Sequence, residues 1–126
     1  MPDRRELLAV ALGGIAGAMV RTALAGWFPH DADAWPWATF SVNLLGAFVL
    51  GVVITIIHER HAFRRRLLAT GFCGALTTFS TMQLEVLRML DTDAIALAVA
   101  YAGISIVLGL GCVLAGAELA RRRKAS

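Results

Sequence analysis

The sequence predicts an all-α membrane protein of four transmembrane helices, the third broken near mid-membrane. Three observations lead there. Hydrophobic residues make up 58% of the 126 residues, and mean hydropathy is +0.69; soluble domains are about 45–50% apolar. Charge-free runs cover residues 7–20, 34–57, 67–84 and 94–117, and about 20 apolar residues suffice to cross roughly 30 Å of hydrocarbon. Within the third run, Gly71-Phe-Cys-Gly-Ala-Leu-Thr-Thr-Phe-Ser-Thr81 places four hydroxyl side chains and two glycines in eleven residues. A plain spanning helix has no use for that composition. Irregular backbone at membrane depth persists only where protein buries it or where it lines a polar cavity, so the break is a candidate ion site.

The elements follow in order, within a single four-helix transmembrane domain over residues 1–126. Helix one is expected over about residues 6–28; its apolar run is short and reaches Phe28 only if Arg21 is tolerated. Arg4 and Arg5 before that run fit the start of a cleaved signal. Gly13, Gly14 and Gly17 followed by Arg21 suit a retained, packed helix better. The Gly13-x-x-x-Gly17 and Gly14-x-x-x-Ala18 pairs form a small-residue stripe that allows a second helix close approach. Pro29 and Pro36 bracket the next loop. Helix two, over about 37–57, carries Asn43, Gly46, Ala47 and Gly51. Helix three, over about 67–90, is expected to break around Gly74–Thr78. Helix four, over about 94–118, is expected to start on an Asp93 cap. Loops are short, and four short helices rich in small residues favour an oligomer with its site between subunits.

Charge sets the orientation. Arg4, Arg5, Arg60, Arg64, Arg65, Arg66, Arg121, Arg122, Arg123 and Lys124 fall on one side of a four-span chain, ten of its twelve Lys/Arg residues. The opposite loops hold Asp31, Asp33, Asp91 and Asp93. The positive-inside rule then places both termini in the cytoplasm. Trp27, Trp35 and Trp37 cluster at the outer first loop as interfacial anchors. The basic loop and tail abut helix ends, which fits contact with anionic lipid better than with nucleic acid. Cys73 and Cys112 fall inside spans and make no disulfide framework. His30, His58 and His61 sit in loops, and neither a metal-ligand cluster nor a nucleophile–base pair appears, so an enzyme is not expected.

Polar residues at membrane depth narrow the function. Position alone leaves Arg21 facing either a site or, by snorkelling, the outer headgroups. Asn43 can bridge helices or present amide N–H to an anion. Thr77, Thr78, Ser80 and Thr81 exceed what back-bonding to a helix requires. A broken helix exposes carbonyls at one end and N–H groups at the next, suiting a cation and an anion respectively. Phe79 and Met82 share a face three residues apart, and Tyr101, Ser105 and Gly109 form a stripe that can extend a wet track. Glu85 and Arg88, near the outer end of helix three, read as a local ion pair.

These pieces, in this order, resemble the Fluc or CrcB family of fluoride channels over essentially the whole chain. The resemblance rests on Gly14-x-x-Gly17-Ala18-x-x-Arg21, on Thr39-x-x-Val42-Asn43-x-x-Gly46-Ala47-Phe48-x-x-Gly51, and most specifically on the Gly71–Thr81 segment. It implies a prokaryotic plasma-membrane protein that passively exports fluoride, a dimer of oppositely inserted subunits with two pores. It further implies a structural sodium ion on the twofold axis, bound by backbone carbonyls at Gly74 and Thr77. Asn43, Phe79, Ser80, Thr81, Met82, Tyr101 and Ser105 would belong to the fluoride path, and Arg21 to a vestibule.

Two positions depart from the family pattern: Met82 stands where a second phenylalanine is common, and Gly109 where a hydroxyl often occurs. A homodimer of opposed subunits also needs a weak Lys/Arg bias, whereas this chain has ten against two. Half of a heterodimer, paired with a similar chain of reversed bias, is therefore expected over a homodimer. A small multidrug exporter would need an acidic residue deep in a span, and Glu6, Glu85 and Glu118 read as near span ends. A non-transporting membrane scaffold would leave the broken helix without purpose.

Overall fold

The structure, a computed structural model, describes residues 1 and 3–126. Helices α1 (Arg4–Trp27) and α2 (Trp37–Ile56) are continuous. The third segment begins as α3 (Ala62–Arg65), passes into a π-helical stretch (Arg66–Cys73) and closes with a turn, α4 (Gly74–Leu76). Two non-helical residues follow before α5 (Phe79–Asp91), and α6 (Ile95–Ala125) completes the chain. No strand forms among the described residues. Helices α1, α2 and α6 are each long and apolar enough to cross a membrane. At about 1.5 Å per residue, neither half of the third segment reaches across roughly 30 Å alone. End to end, the two halves are long enough to do so together.

Two boundaries differ from the sequence expectation for a shared reason. The third segment starts at Ala62, not near 67, and α6 runs to Ala125, not 118. Both extensions are basic turns that continue the helix past the apolar stretch. Glu118 accepts from Arg122 at 2.8 Å and from Arg121 at 3.2 Å, and cations in a last turn complement the helix dipole. Lys124 Nζ donates to the Thr55 carbonyl at 2.6 Å, and Arg66 pairs with Glu6 at 3.3 Å. These contacts gather the start of α1, the end of α2, the basic loop and the end of α6 at one end of the bundle.

Asp93 does not cap α6. It adopts φ 59°, while its N–H reaches the Leu90 carbonyl and the Ala94 N–H reaches the Met89 carbonyl. That pairing around a left-handed residue is a Schellman ending, so Asp93 terminates α5. The residue before α6 is Ala94, with no side-chain cap.

Small residues set the close crossings. A Cβ on Gly13 would overlap the Leu67 carbonyl, and one on Gly17 the Phe72 carbonyl. The expected stripe on α1 therefore lies directly on the π-helical stretch. Its neighbour Gly14 faces open space. Gly51 and Gly116 likewise let α2 and α6 pass backbone to backbone. At the end away from the basic loop, Phe40, Met82, Met89, Ala98 and Tyr101 form the core. Trp27 and Trp37 are exposed. Trp35 instead turns inward, edge-on to Phe40 and Tyr101 with both ring centroids at 5.2 Å.

Candidate functional site

The break consists of Thr77 (φ −75°, ψ 148°) and Thr78 (φ −147°, ψ 108°), both extended. Most of its loose ends are tied locally or across to α2. Thr77 sends its N–H and its hydroxyl to the Cys73 carbonyl, at 3.0 and 2.9 Å. Thr78 Oγ1 accepts from the Thr81 N–H at 3.2 Å and donates to Thr81 Oγ1 at 2.9 Å, which makes it the N-cap of α5. Asn43 then treats Thr78 as a neighbouring strand would. Its Oδ1 accepts from the Thr78 N–H at 2.7 Å, and its Nδ2 donates to the Thr78 carbonyl at 3.3 Å. A carboxamide has two N–H donors, and the second has no partner among the described residues.

Two hollows meet at this break, and Thr78 lines both. One is an open groove of about 320 Å³, whose walls include Asn43, Thr77, Phe79, Met82, Ser105 and Gly109. Phe79 stands 64% exposed there, while Met82 at 7% reaches the groove from the core. Ser105 Oγ is buried and lacks a hydrogen-bond partner, a costly arrangement for a hydroxyl away from water. The other is a cleft of about 210 Å³ lined by Arg21, Thr22, Thr39, Thr78 and Thr81. Arg21 has no carboxylate within ion-pair distance among the described residues, so its charge faces the cleft uncompensated.

Of the residues singled out in the sequence, Asn43, Thr77, Phe79, Met82 and Ser105 share the groove, and Arg21 and Thr81 share the cleft. Ser80 is exposed on α5 and outside both hollows. Gly74 is exposed on the last turn before the break, where no neighbouring atom comes nearer than 4.0 Å to a built Cβ. The final carbonyls of a helix lack intrahelical partners. Tyr101 does not extend the groove; it is fully buried.

Tyr101 points instead to a site the sequence reading missed. Its hydroxyl donates to Glu85 Oε2 at 2.6 Å, and Thr39 donates to Glu85 Oε1 at 2.6 Å. Glu85 is only 4% exposed. The expected local ion pair with Arg88 does not form; the basic group within ion-pair distance is His30, with Nε2 3.8 Å from Oε1. A signal was present in the spacing. Met82, Glu85 and Met89 follow i, i+3, i+7 and are the buried residues of α5, so Glu85 lies on that helix's core face.

Comparison with known proteins agrees in one direction. A family model described as "CrcB-like protein, Camphor Resistance (CrcB)" matches residues 8–117. A "Fluoride-specific ion channel FluC 1" from Mycolicibacterium paratuberculosis is 48% identical, over 95% of this chain and 93% of the relative. Proteins named "Fluoride-specific ion channel FluC" from Hahella chejuensis and Methanopyrus kandleri are 41% and 44% identical, over 92% and 89% of this chain and 94% and 86% of theirs.

Proposed function

Since the chain belongs to the CrcB family, we propose that it is a subunit of a fluoride-selective channel that lets fluoride leave the cytoplasm passively. The observation that carries this reading is the Thr77–Thr78 interruption, held by Asn43 beside a polar groove. Fluoride is small and tightly hydrated, so losing water must be offset by several donors. The second Asn43 N–H, the unpartnered Ser105 hydroxyl and the positive ring edge of Phe79 supply them without a fixed charge to trap the ion. Arg21 draws anions toward the adjoining cleft. Conduction needs binding tight enough to admit the ion and weak enough to release it, which neutral donors suit. Thr81 lines the cleft that Arg21 faces, while Ser80 at the start of α5 and Tyr101 one turn before Ser105 stand outside the groove lining.

The groove is open on one side, and a second subunit inserted the other way would close it. The carbonyl ends at Gly74 and Thr77 from two such subunits offer hard oxygen donors of the kind a sodium ion takes. Bound there, sodium would tie the two breaks together. The ten-to-two Lys/Arg bias favours one insertion, both termini cytoplasmic, and hence a heterodimer whose partner has the reverse bias and supplies an aromatic ring where this chain has Met82.

Growth tests the reading. Fluoride-sensitive cells lacking their own exporter regain growth in fluoride when they make this chain with its partner, and lose it again with Asn43→Asp. Equal sensitivity with and without the chain would falsify it.

A further inference from the structure

Glu85 is a buried carboxylate whose hydrogen-bond partners, the hydroxyls of Thr39 and Tyr101, are both neutral. Hydroxyl donors stabilise its charge without cancelling it. One basic group among the described residues stands within ion-pair distance, His30, 3.8 Å away in the α1–α2 loop with a side chain 25% exposed. That loop is held in place because Trp35, five residues on, packs edge-on against Tyr101 and Phe40. Thr39 is shared, since it bonds Glu85 and also lines the cleft that Arg21 faces. The charge of Glu85 therefore acts through one side chain on the place where an anion would sit.

We propose that His30 sets the effective charge of the Glu85–Thr39–Tyr101 cluster and thereby tunes anion passage through the neighbouring cleft. Neutral His30 leaves the carboxylate to repel an anion; protonated His30 offsets it. Histidine changes charge between about pH 5 and 8, so the cluster responds in the ordinary range of environmental pH. The other groups around it do not supply that response. Arg21 on α1 is cationic throughout, as is Arg88 on α5, which is exposed. Tyr101 on α6 and Thr39 on α2 serve as donors, and Asp31 and Asp33 of the loop are exposed.

The proposal rests on the fluoride-channel reading, and its test separates the two. Fluoride efflux is measured from vesicles carrying the purified channel with any partner that co-purifies, at matched inner and outer pH of about 8 and about 6. Protein-free vesicles give the leak of undissociated HF, which is subtracted. Efflux is expected to rise about tenfold between the two conditions. His30→Gln flattens that rise, and His30→Lys holds the higher level at both. A conducting channel whose pH profile is unchanged by His30→Gln overturns the proposal. No efflux from any sample overturns the channel reading instead, and a second measurement then decides on His30. In ring-labelled protein, Glu85→Gln moves the His30 imidazole signals at pH about 6; signals that stay in place overturn the contact.

Discussion

Asn43 holds Thr78 through both halves of its amide, so a change there acts on structure and conduction together. Asn43→Asp replaces the donor facing the Thr78 carbonyl with a second acceptor and sets a negative charge beside the groove. Leaving that carbonyl unpaired costs about 1–3 kcal/mol, and fluoride flux is expected to fall about tenfold or more. Thermal unfolding in detergent and vesicle efflux read the two effects separately. Thr78→Ala removes the α5 cap, at about 1 kcal/mol, together with the bond to the Thr81 hydroxyl, and Thr78→Ser restores both; equal melting temperatures for the two would contradict the capping role. Asn43 was visible in the sequence as a lone amide in a span, but its partner was not. A backbone N–H and carbonyl 35 residues along the chain leave no trace in residue types. Glu85 was misread for the opposite reason. Proximity to Arg88 suggested a local ion pair, while the Met82–Glu85–Met89 spacing placed it on the core face.

Elements explain why the break lies where it does. Gly13 and Gly17 bring α1 against the π-helical stretch so closely that any side chain there strikes its carbonyls. Gly46 makes room for the Thr77 methyl on the α2 side. Gly17→Leu is expected to separate α1 from the third segment, seen as aggregation or loss of a single size-exclusion peak. Gly14→Ala, facing open space, serves as its matched control and should leave the profile intact. The broken span was legible because glycine and four hydroxyls in eleven residues oppose a plain helix. Its two ends were less so. A π-helical stretch uses the same residue types as an α-helix and arises from how the segment packs on α1. The Asp93 cap failed because aspartate serves helix starts and left-handed turns alike; the Met89 and Leu90 carbonyls decided for the turn.

The whole molecule is a bundle with a basic end and, opposite it, the Glu85 core, and its groove lacks a wall. The basic end was plain in the order of charges along the chain; the Glu85 core was not. If the partner has reversed charge bias, this chain alone should conduct little fluoride, and co-expression should raise efflux about tenfold or more. Met82→Phe, which restores an aromatic edge at the groove, should raise the activity of the chain alone if the partner's role is to supply that ring. Both are read by a fluoride electrode.

The most direct measurement compares fluoride with chloride in potassium-loaded vesicles holding this chain, with and without the reversed-bias partner. Fluoride should empty rapidly once the membrane is made potassium-permeable, and chloride should stay inside. Equal release of both ions, or retention of both by every combination of subunits, would contradict a fluoride path built on the broken third span.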